Sequence, residues 1–229
     1  VIIVPKPGNV NIYYIFTLDE PHHENAAVYP NAFSGNYQDS DSGKTPDDDD
    51  GLNKGLNYSI VDLSVTGSNG SIGDIINRNN HLITYDTNPF GEEIKYKCSE
   101  KLTAVKDATG NGCWVITHFT SNFYAFQVSA SGVNSTPVKS AVLPNVPVLG
   151  YRRNAVGYLK ASPNGTRLAA AYLQIDSATS STGIYKGAVY LYDFNAMTGM
   201  VSNSRLLLPD VQAYGVEFSN NSNILYSNG

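Results

Sequence analysis

The sequence predicts an all-β protein built from repeated antiparallel sheets of four strands. Helical periodicity is almost absent, whereas short runs rich in Tyr, Phe, Val, Ile and Thr alternate with turn residues. A unit of strand, polar turn and strand also recurs, with about 56 residues between successive turns. It occurs as LTAVKDATGNGCWVIT (102–117), YLKASPNGTRLAAAYL (158–173) and VEFSNNSNILYS (216–227). A period of this length indicates units that bury their faces against their neighbours.

The predicted strands are bounded by clusters of Gly, Asn, Asp, Ser or Pro, which favour turns. In chain order they are 11–18, 57–65, 101–106, 113–119, 123–129, 157–162, 167–173, 188–194, 205–208, 215–219 and 223–227. A third strand is followed by a turn containing Gly and a short fourth strand in 123–140 and again in 188–208. Four antiparallel strands in each repeat of roughly 40 to 60 residues are the pattern of a β-propeller blade.

The register of the repeat predicts a partial β-propeller over residues 1–229, with about three to four blades. The blades are expected at about 11–76, 101–140, 158–208 and 214–229, and the first is expected to hold only the last three strands of a blade. A propeller needs at least about four blades to close without a raw sheet edge. We therefore expect a larger propeller, completed by the remainder of the same chain or by a neighbouring subunit.

Four motifs carry a family resemblance: SPNGTRLAAA (162–171), WVITH (114–118), YLYDFNAMTG (190–199) and YGVEFSNNSNILY (214–226). With them the sequence resembles the propeller-like, WD40-type region of large surface proteins of the Bacteroidetes, which are exported by type IX secretion and associated with gliding motility. The likeness runs from about residue 11 to the end. It implies a secreted protein at the bacterial cell surface with a binding or adhesive role, and it supplies no catalytic residues.

Composition excludes several classes of partner. Charged residues make up 15% of the chain, below the roughly 25% of ordinary soluble domains, and this neutral polar surface favours an extracellular location. The net charge is −5 without a basic stripe, which argues against nucleic-acid binding. No apolar run reaches the length of about 18 residues that a membrane span requires. The opening VIIVPKPGNV is not a signal peptide, so we expect either a removed leader or an internal piece.

An acidic insertion at about 19–55 suggests a cation site. Carboxylates near a glycine are the oxygen ligands that calcium prefers, although the spacing of an EF-hand is missing. The candidate calcium ligands are Asp39, Asp41, Asp47, Asp49 and Asp50. The alternative is a solvated acidic loop with no cation, and no other cofactor is expected.

Aromatic residues outside the strands are candidate contact residues. Tyrosine in a polar loop suits recognition of proteins or carbohydrates, so the loops 19–55 and 174–187 are expected to form the contact surface. The candidates are Tyr29, Phe33, Tyr37, Tyr151 and Tyr185. By resemblance to O-glycosylation sites of the Bacteroidetes, Ser177 in DSA (176–178) is a candidate for modification.

Cys98 and Cys113 leave two alternatives open. A disulfide between them would close a loop of about 15 residues, worth roughly 3 kcal/mol in the chain-entropy model. The other alternative is two small buried residues, which a tight hairpin of 102–107 with 113–118 would favour. His118 is expected to have a structural role, because no G-x-S-x-G nucleophile accompanies it.

Together these observations predict a non-catalytic binding, adhesion or display domain whose partners are other surface proteins or glycans. Two alternatives remain. One is a propeller hydrolase or lyase with a site in the channel, and the other is a structural or filament subunit completed by another chain. The fold cannot decide among them, because propellers host many functions.

Overall fold

A computed structural model describes residues 1–18, 55–84, 98–146, 155–175 and 186–228. These residues form fifteen β-strands and no helix, which confirms the all-β prediction. None of them forms a helix that is long and apolar enough to cross a membrane.

The first sheet contains four antiparallel strands, β1 (Ile2–Pro5), β2 (Ile12–Thr17), β3 (Leu56–Thr66) and β4 (Ile72–Leu82), in that spatial order. The expectation that this unit begins at residue 11 and lacks its first strand was wrong. Ile3 lies opposite Ile15 and Val4 opposite Tyr14, so the opening residues form the missing strand.

Three further sheets follow along the chain. The second contains β5 (Leu102–Lys106), β6 (Cys113–Phe119), β7 (Asn122–Ser129), β8 (Gly132–Val133) and β9 (Val138–Ala141). The third contains β10 (Leu159–Ala161), β11 (Arg167–Tyr172), β12 (Ala188–Asn195) and β13 (Met200–Pro209), and the fourth contains β14 (Val216–Phe218) and β15 (Leu225–Ser227). The second sheet is ordered β5-β6-β7-β8, with β9 pairing the other half of β7, and the third is ordered β10-β11-β12-β13. The structure thus has consecutive antiparallel sheets of the predicted kind.

The turns that join the first and second strands of the last three sheets share one geometry. In each, the first residue of a six-residue loop donates its N–H to the carbonyl of the last, and the fourth residue donates back to the first. The fourth residue has a positive φ, which a turn of this kind requires and which glycine adopts most easily. These residues are Gly110 (φ +73°), Gly165 (φ +71°) and Ser222 (φ +62°). The repeat that was visible in the sequence is therefore a repeat of backbone geometry.

Neighbouring sheets pack face to face, and strand alternation decides which neighbour each side chain meets. On β6, Val115 packs against the first sheet, whereas Trp114 and Ile116 pack against the third. On β11, Leu168 and Ala170 pack against the second sheet, whereas Ala169 and Ala171 face the fourth. Both faces of the second and third sheets are thereby buried, which explains why their central strands are apolar at nearly every position.

The first strands of successive sheets lie side by side. β1 contacts β5, β5 contacts β10, and β10 contacts β14. The fourth strands of the second and third sheets, β9 and β13, are also neighbours. The sheets are therefore stacked in the same orientation, with their first strands along a common edge.

Candidate functional site

Most of the candidate residues predicted from the sequence lie outside the described residues. This holds for the aromatic contact candidates, the acidic calcium ligands and the glycosylation candidate. They are Tyr29, Phe33, Tyr37, Tyr151, Tyr185, Asp39, Asp41, Asp47, Asp49, Asp50 and Ser177. Within the described ranges, no group of three or more His, Cys, Asp or Glu side chains could hold a metal ion.

No disulfide joins Cys98 and Cys113, so the bridge that the sequence left open is not formed. Cys113 lies opposite Lys106, at the turn end of the β5–β6 hairpin, whereas Cys98 precedes the other end. The two ends are separated by the length of β5, about 14 Å at 3.4 Å per residue, and a disulfide needs Cα atoms within about 7 Å. Burial, with a contribution from Asp107, raises the pKa of the Cys113 thiol to about 12, which keeps it protonated and unreactive.

His118 is buried between the second and third sheets, at the end of β6. Its ring makes edge contacts with Phe123, at a centroid distance of 4.7 Å, and with Tyr172, at 5.4 Å. Its Nε2 atom has no hydrogen-bond partner among the described residues. Burial, and secondarily the charge of Lys101, lowers the pKa of His118. The imidazole is therefore neutral and enclosed by aromatic rings, and a substrate in solvent cannot reach it.

Lys101 is fully buried beside this histidine. Its Nζ donates to the Val156 carbonyl at 3.0 Å and lies 4.7 Å from the centroid of the Tyr172 ring. These groups stabilise an ammonium through a hydrogen bond and a cation–π contact, but they do not replace full hydration. Burial accordingly lowers the pKa of Lys101 to about 7, against a smaller opposing effect of Glu100.

Glu100 joins the segments that lead into three successive sheets. Its Oε1 accepts the Gly157 N–H at 2.6 Å, and its negative charge contributes, after burial, to the raised pKa of Tyr214. Tyr158 N–H donates to the Tyr214 carbonyl at 2.8 Å. A single carboxylate just before the second sheet therefore anchors the backbone that precedes the third sheet, and that backbone is bonded in turn to the residue before the fourth.

Three exposed tyrosines gather at this place. Tyr226 is 58% exposed, Tyr158 44% and Tyr214 40%, and no other described tyrosine is comparably exposed. The rings of Tyr158 and Tyr214 are 4.9 Å apart at an angle of 52°. Tyr158 and Tyr226 line a cavity of about 280 Å³ together with residues 215–217 and 227–228. We call Tyr158, Tyr214, Tyr226, Lys160 and Glu217 the tyrosine patch.

Two charged side chains complete the tyrosine patch. Glu217 lies directly opposite Tyr226 in the β14–β15 pair. Lys160 Nζ lies 2.8 Å from Glu217 Oε2 and 5.7 Å from the centroid of the Tyr158 ring. Because the ion pair is exposed, its stabilising effect is small and both groups keep hydrogen-bonding positions free for a ligand. The tyrosine patch thus combines aromatic faces with a charged donor and acceptor, and Tyr158, Glu217 and Tyr226 line the cavity.

Larger clefts lie beside the β5–β6 turn, but they present fewer polar side chains that a ligand could use. One of about 620 Å³ separates β1 from β5 and is lined mainly by aliphatic, proline and glycine residues, with Lys106 as its one charged side chain among the lining residues. A second of about 850 Å³ is lined by the turns of the second and third sheets, and its polar side chains Asp107, Ser162 and Asn164 form hydrogen bonds within those turns. Volume alone does not make a binding site, because orientation and specificity come from a few placed polar groups around an apolar surface. The tyrosine patch meets that requirement better.

Sequence reasoning missed the tyrosine patch because its three tyrosines adjoin or lie within strands, where packing is the ordinary role. A signal was present in the sequence. Tyr158 and Tyr214 each precede a first strand, beside Gly157 and Gly215, and Tyr226 follows in the next hairpin. A comparison of the chain with models of known protein families and with curated proteins found no match.

Proposed function

We propose that this chain is part of a β-propeller that serves as a non-catalytic binding or adhesion domain of an exported bacterial surface protein. The stacking of successive four-stranded sheets, with first strand beside first strand, supports the propeller. In a propeller the first strands surround the central axis. The exported location is supported by the low charge content and by the resemblance to surface proteins of the Bacteroidetes.

The observation that carries the binding function is the clustering of exposed tyrosines. Tyrosine provides a large, rigid contact area at a low entropic cost and is enriched at recognition surfaces. Exposed tyrosines spread over a surface need no explanation, but a cluster in which the rings of Tyr158 and Tyr214 lie 4.9 Å apart favours a ligand. The bond from the Tyr158 N–H to the Tyr214 carbonyl at 2.8 Å and the contact between their rings order both tyrosines before any ligand arrives, and a contact that is already ordered loses less entropy on binding.

A non-catalytic role is supported by the placement of His118. General base catalysis requires a histidine within hydrogen-bonding reach of the substrate. His118 is enclosed by Phe123 and Tyr172, so it is not within reach of a substrate in solvent. The alternative function, a hydrolase or lyase with a site in the channel, would have to use other groups.

The proposal is tested by capture of surface material on the native protein. Immobilised wild-type protein is expected to retain components of a bacterial outer-surface extract, and a Tyr158→Ala and Tyr226→Ala double variant is expected to lose them. Tyr13→Ala is the matched control, because Tyr13 is a partly exposed tyrosine on the first sheet, far along the chain from the tyrosine patch. Equal retention by the double variant would refute a binding role for the tyrosine patch.

A second assay addresses catalysis directly. Turnover of ester, glycoside and lactone substrates is measured for the wild type and for His118→Ala. We expect no saturable turnover. Turnover that the His118→Ala substitution abolishes, in a variant that still unfolds cooperatively, would overturn the non-catalytic assignment.

A further inference from the structure

We propose that His118 and Lys101 form an acid-sensitive latch between the second and third sheets. The latch is closed at neutral pH, where the imidazole carries no charge, and it opens when a proton from solvent binds the imidazole in mildly acidic solution. Both side chains are buried in the interior of the protein, so this inference does not depend on the tyrosine patch.

The two side chains of the latch face the third sheet from opposite positions of one hairpin. Leu102 lies opposite Thr117 in the β5–β6 pair, so the next step of the same register places Lys101 opposite His118. The Thr117 hydroxyl donates to the Lys101 carbonyl at 2.7 Å, which holds this register. The centroid of the His118 ring lies 5.4 Å from that of Tyr172 on β11, and Lys101 Nζ lies 4.7 Å from the same centroid. Directly opposite residues of an antiparallel pair have Cβ atoms about 5 Å apart, so two basic groups share one enclosed space.

This space accommodates a neutral imidazole but not a second cation. His118 is 2% exposed, and its ring packs against Phe123 at a centroid distance of 4.7 Å. Its Nε2 atom has no hydrogen-bond partner among the described residues, whereas buried polar atoms are usually paired. A proton on the ring would create a buried charge beside the ammonium of Lys101, and an uncompensated buried charge is strongly destabilising.

Glu100 is the acidic side chain next to the latch, and it does not balance both cations. Its Oε1 accepts a backbone N–H at 2.6 Å, and its charge acts on Lys101. The amine of Lys101, with a pKa of about 7, is charged throughout the mildly acidic range. Burial, and then the charge of Lys101, lowers the pKa of His118. Both charges thus favour a neutral imidazole beside one cation.

The third sheet presents tyrosines to the latch. The hydroxyls of Tyr172 and Tyr192 bond to each other at 2.9 Å, and the ring of Tyr190 lies 5.9 Å from that of Tyr172. Burial raises the pKa of all three hydroxyls, so they stay neutral in acid. The described residues around the latch therefore offer one carboxylate for two cations once the histidine is protonated.

The other end of the same junction is closed by bonds that do not titrate. Trp114 Nε1 donates to the Ala196 carbonyl at 2.8 Å, and the Ala108 N–H donates to the same carbonyl at 3.0 Å. Trp114 and His118 are four residues apart on β6, about 14 Å at 3.4 Å per residue. Protonation therefore loosens the junction at the latch and leaves the Trp114 end in place.

Acid opens the latch because the open form binds the additional proton. A histidine in solvent titrates near pH 6.5, whereas the enclosed one stays neutral below that pH. Each pH unit below 6.5 therefore raises the ratio of open to closed latch by up to about tenfold. This increase ends once the enclosed histidine is itself protonated.

The test is hydrogen–deuterium exchange of the native protein at pH 5 and pH 7.5, expressed as protection factors, which remove the intrinsic effect of pH on exchange. At pH 5 we expect amides at 117–119 and 170–172 to lose protection at least fivefold, and amides at 194–199 less than twofold. His118→Phe fills the same aromatic enclosure and cannot take a proton, so it is expected to remove the loss. His81→Phe is the matched control, because it replaces a histidine of the first sheet and should keep the loss.

Three results would overturn the latch: equal protection at the two pH values, equal loss at both ends of the junction, or equal loss in the wild type and His118→Phe. If His118→Phe does not unfold cooperatively, His118→Gln takes its place, since glutamine is also uncharged at both pH values, and the same outcomes decide. Lys101→Met provides a second check. Without the ammonium beside it the histidine is protonated in place more easily, so the loss at pH 5 should become smaller, and an unchanged loss would refute the pairing of the two groups.

Discussion

Replacing Lys101 with methionine should remove a specific pH dependence of stability. The folded protein lowers the pKa of this amine from 10.5 to about 7, which corresponds to about 5 kcal/mol of cost for burying the charged form. Below pH 7 the amine is charged in both states and the whole cost is present. Between pH 7 and 10.5 the unfolded chain binds the additional proton, so the free energy of unfolding rises with pH.

The magnitude follows from the two pKa values. Between pH 7 and pH 9 the free energy of unfolding should increase by about 2 kcal/mol from this group alone. Other titrations contribute less than Lys101 in this window. His118, whose pKa is lowered, destabilises the fold only below its usual pKa of 6.5. Above pH 9 the Cys113 thiol and the buried Tyr172 hydroxyl, both with raised pKa, act in the opposite direction, because they ionise first in the unfolded chain.

The assay is urea unfolding at pH 7, 8 and 9, followed by the fluorescence of Trp114. It is the single tryptophan of the chain and lies in the core between the second and third sheets. Lys101→Met should lose the pH-dependent increase, because the apolar side chain has no charge to desolvate. Lys106→Met is the matched control, since Lys106 is exposed and lies at the other end of β5 from Lys101. If wild type and Lys101→Met change in parallel with pH, the argument from burial is refuted.

Two further substitutions test the contacts that join the sheets. Gly199→Ala should destabilise the protein by about 2 to 4 kcal/mol in the same urea assay, because the added Cβ would lie 2.7 Å from the Trp114 ring at a residue with positive φ. Gly110→Ala, with a similar φ of +73° and open space around it, should cost only about 1 kcal/mol; equal losses would contradict the predicted steric effect. Ser222→Ala should cost about 1 to 3 kcal/mol, because the Asn164 N–H, which donates to the Ser222 hydroxyl at 3.1 Å, is left unpaired. A melting temperature within 1 °C of the wild type, roughly 0.3 kcal/mol for a chain of this length, would show that this bond is not important.

The strands and hairpins could be predicted because local chemistry decides them. Gly, Asn and Pro between β-branched and aromatic runs place the turns, and the strand predicted at 113–119 has those bounds in the structure. The first strand, Ile2–Pro5, was missed for a local reason as well. Its turn has one residue more between Pro5 and Tyr13 than the loops of the other sheets, so it does not match the repeat.

The candidate site could not be predicted, because distant segments form it. Tyr158 and Tyr226 are separated by 67 intervening positions along the chain, and only the packing of β10 against β14 brings them together. Alternation shows that a strand residue faces one side or the other, but not whether a further sheet covers that side. Tyr172 and Tyr192, which are buried and share a hydroxyl contact at 2.9 Å, look the same in sequence as the exposed tyrosines.

Glu100 and Lys101 show how one short segment links stability to the binding surface. Lys101 is buried against the Val156 carbonyl, whereas the neighbouring carboxylate accepts the N–H of Gly157, which precedes Tyr158. Adjacent side chains point in opposite directions when the backbone is extended, so a charged pair at this point necessarily contacts both the core and the surface. Burial of Lys101 lowers stability at neutral pH, but it holds the backbone that presents Glu100.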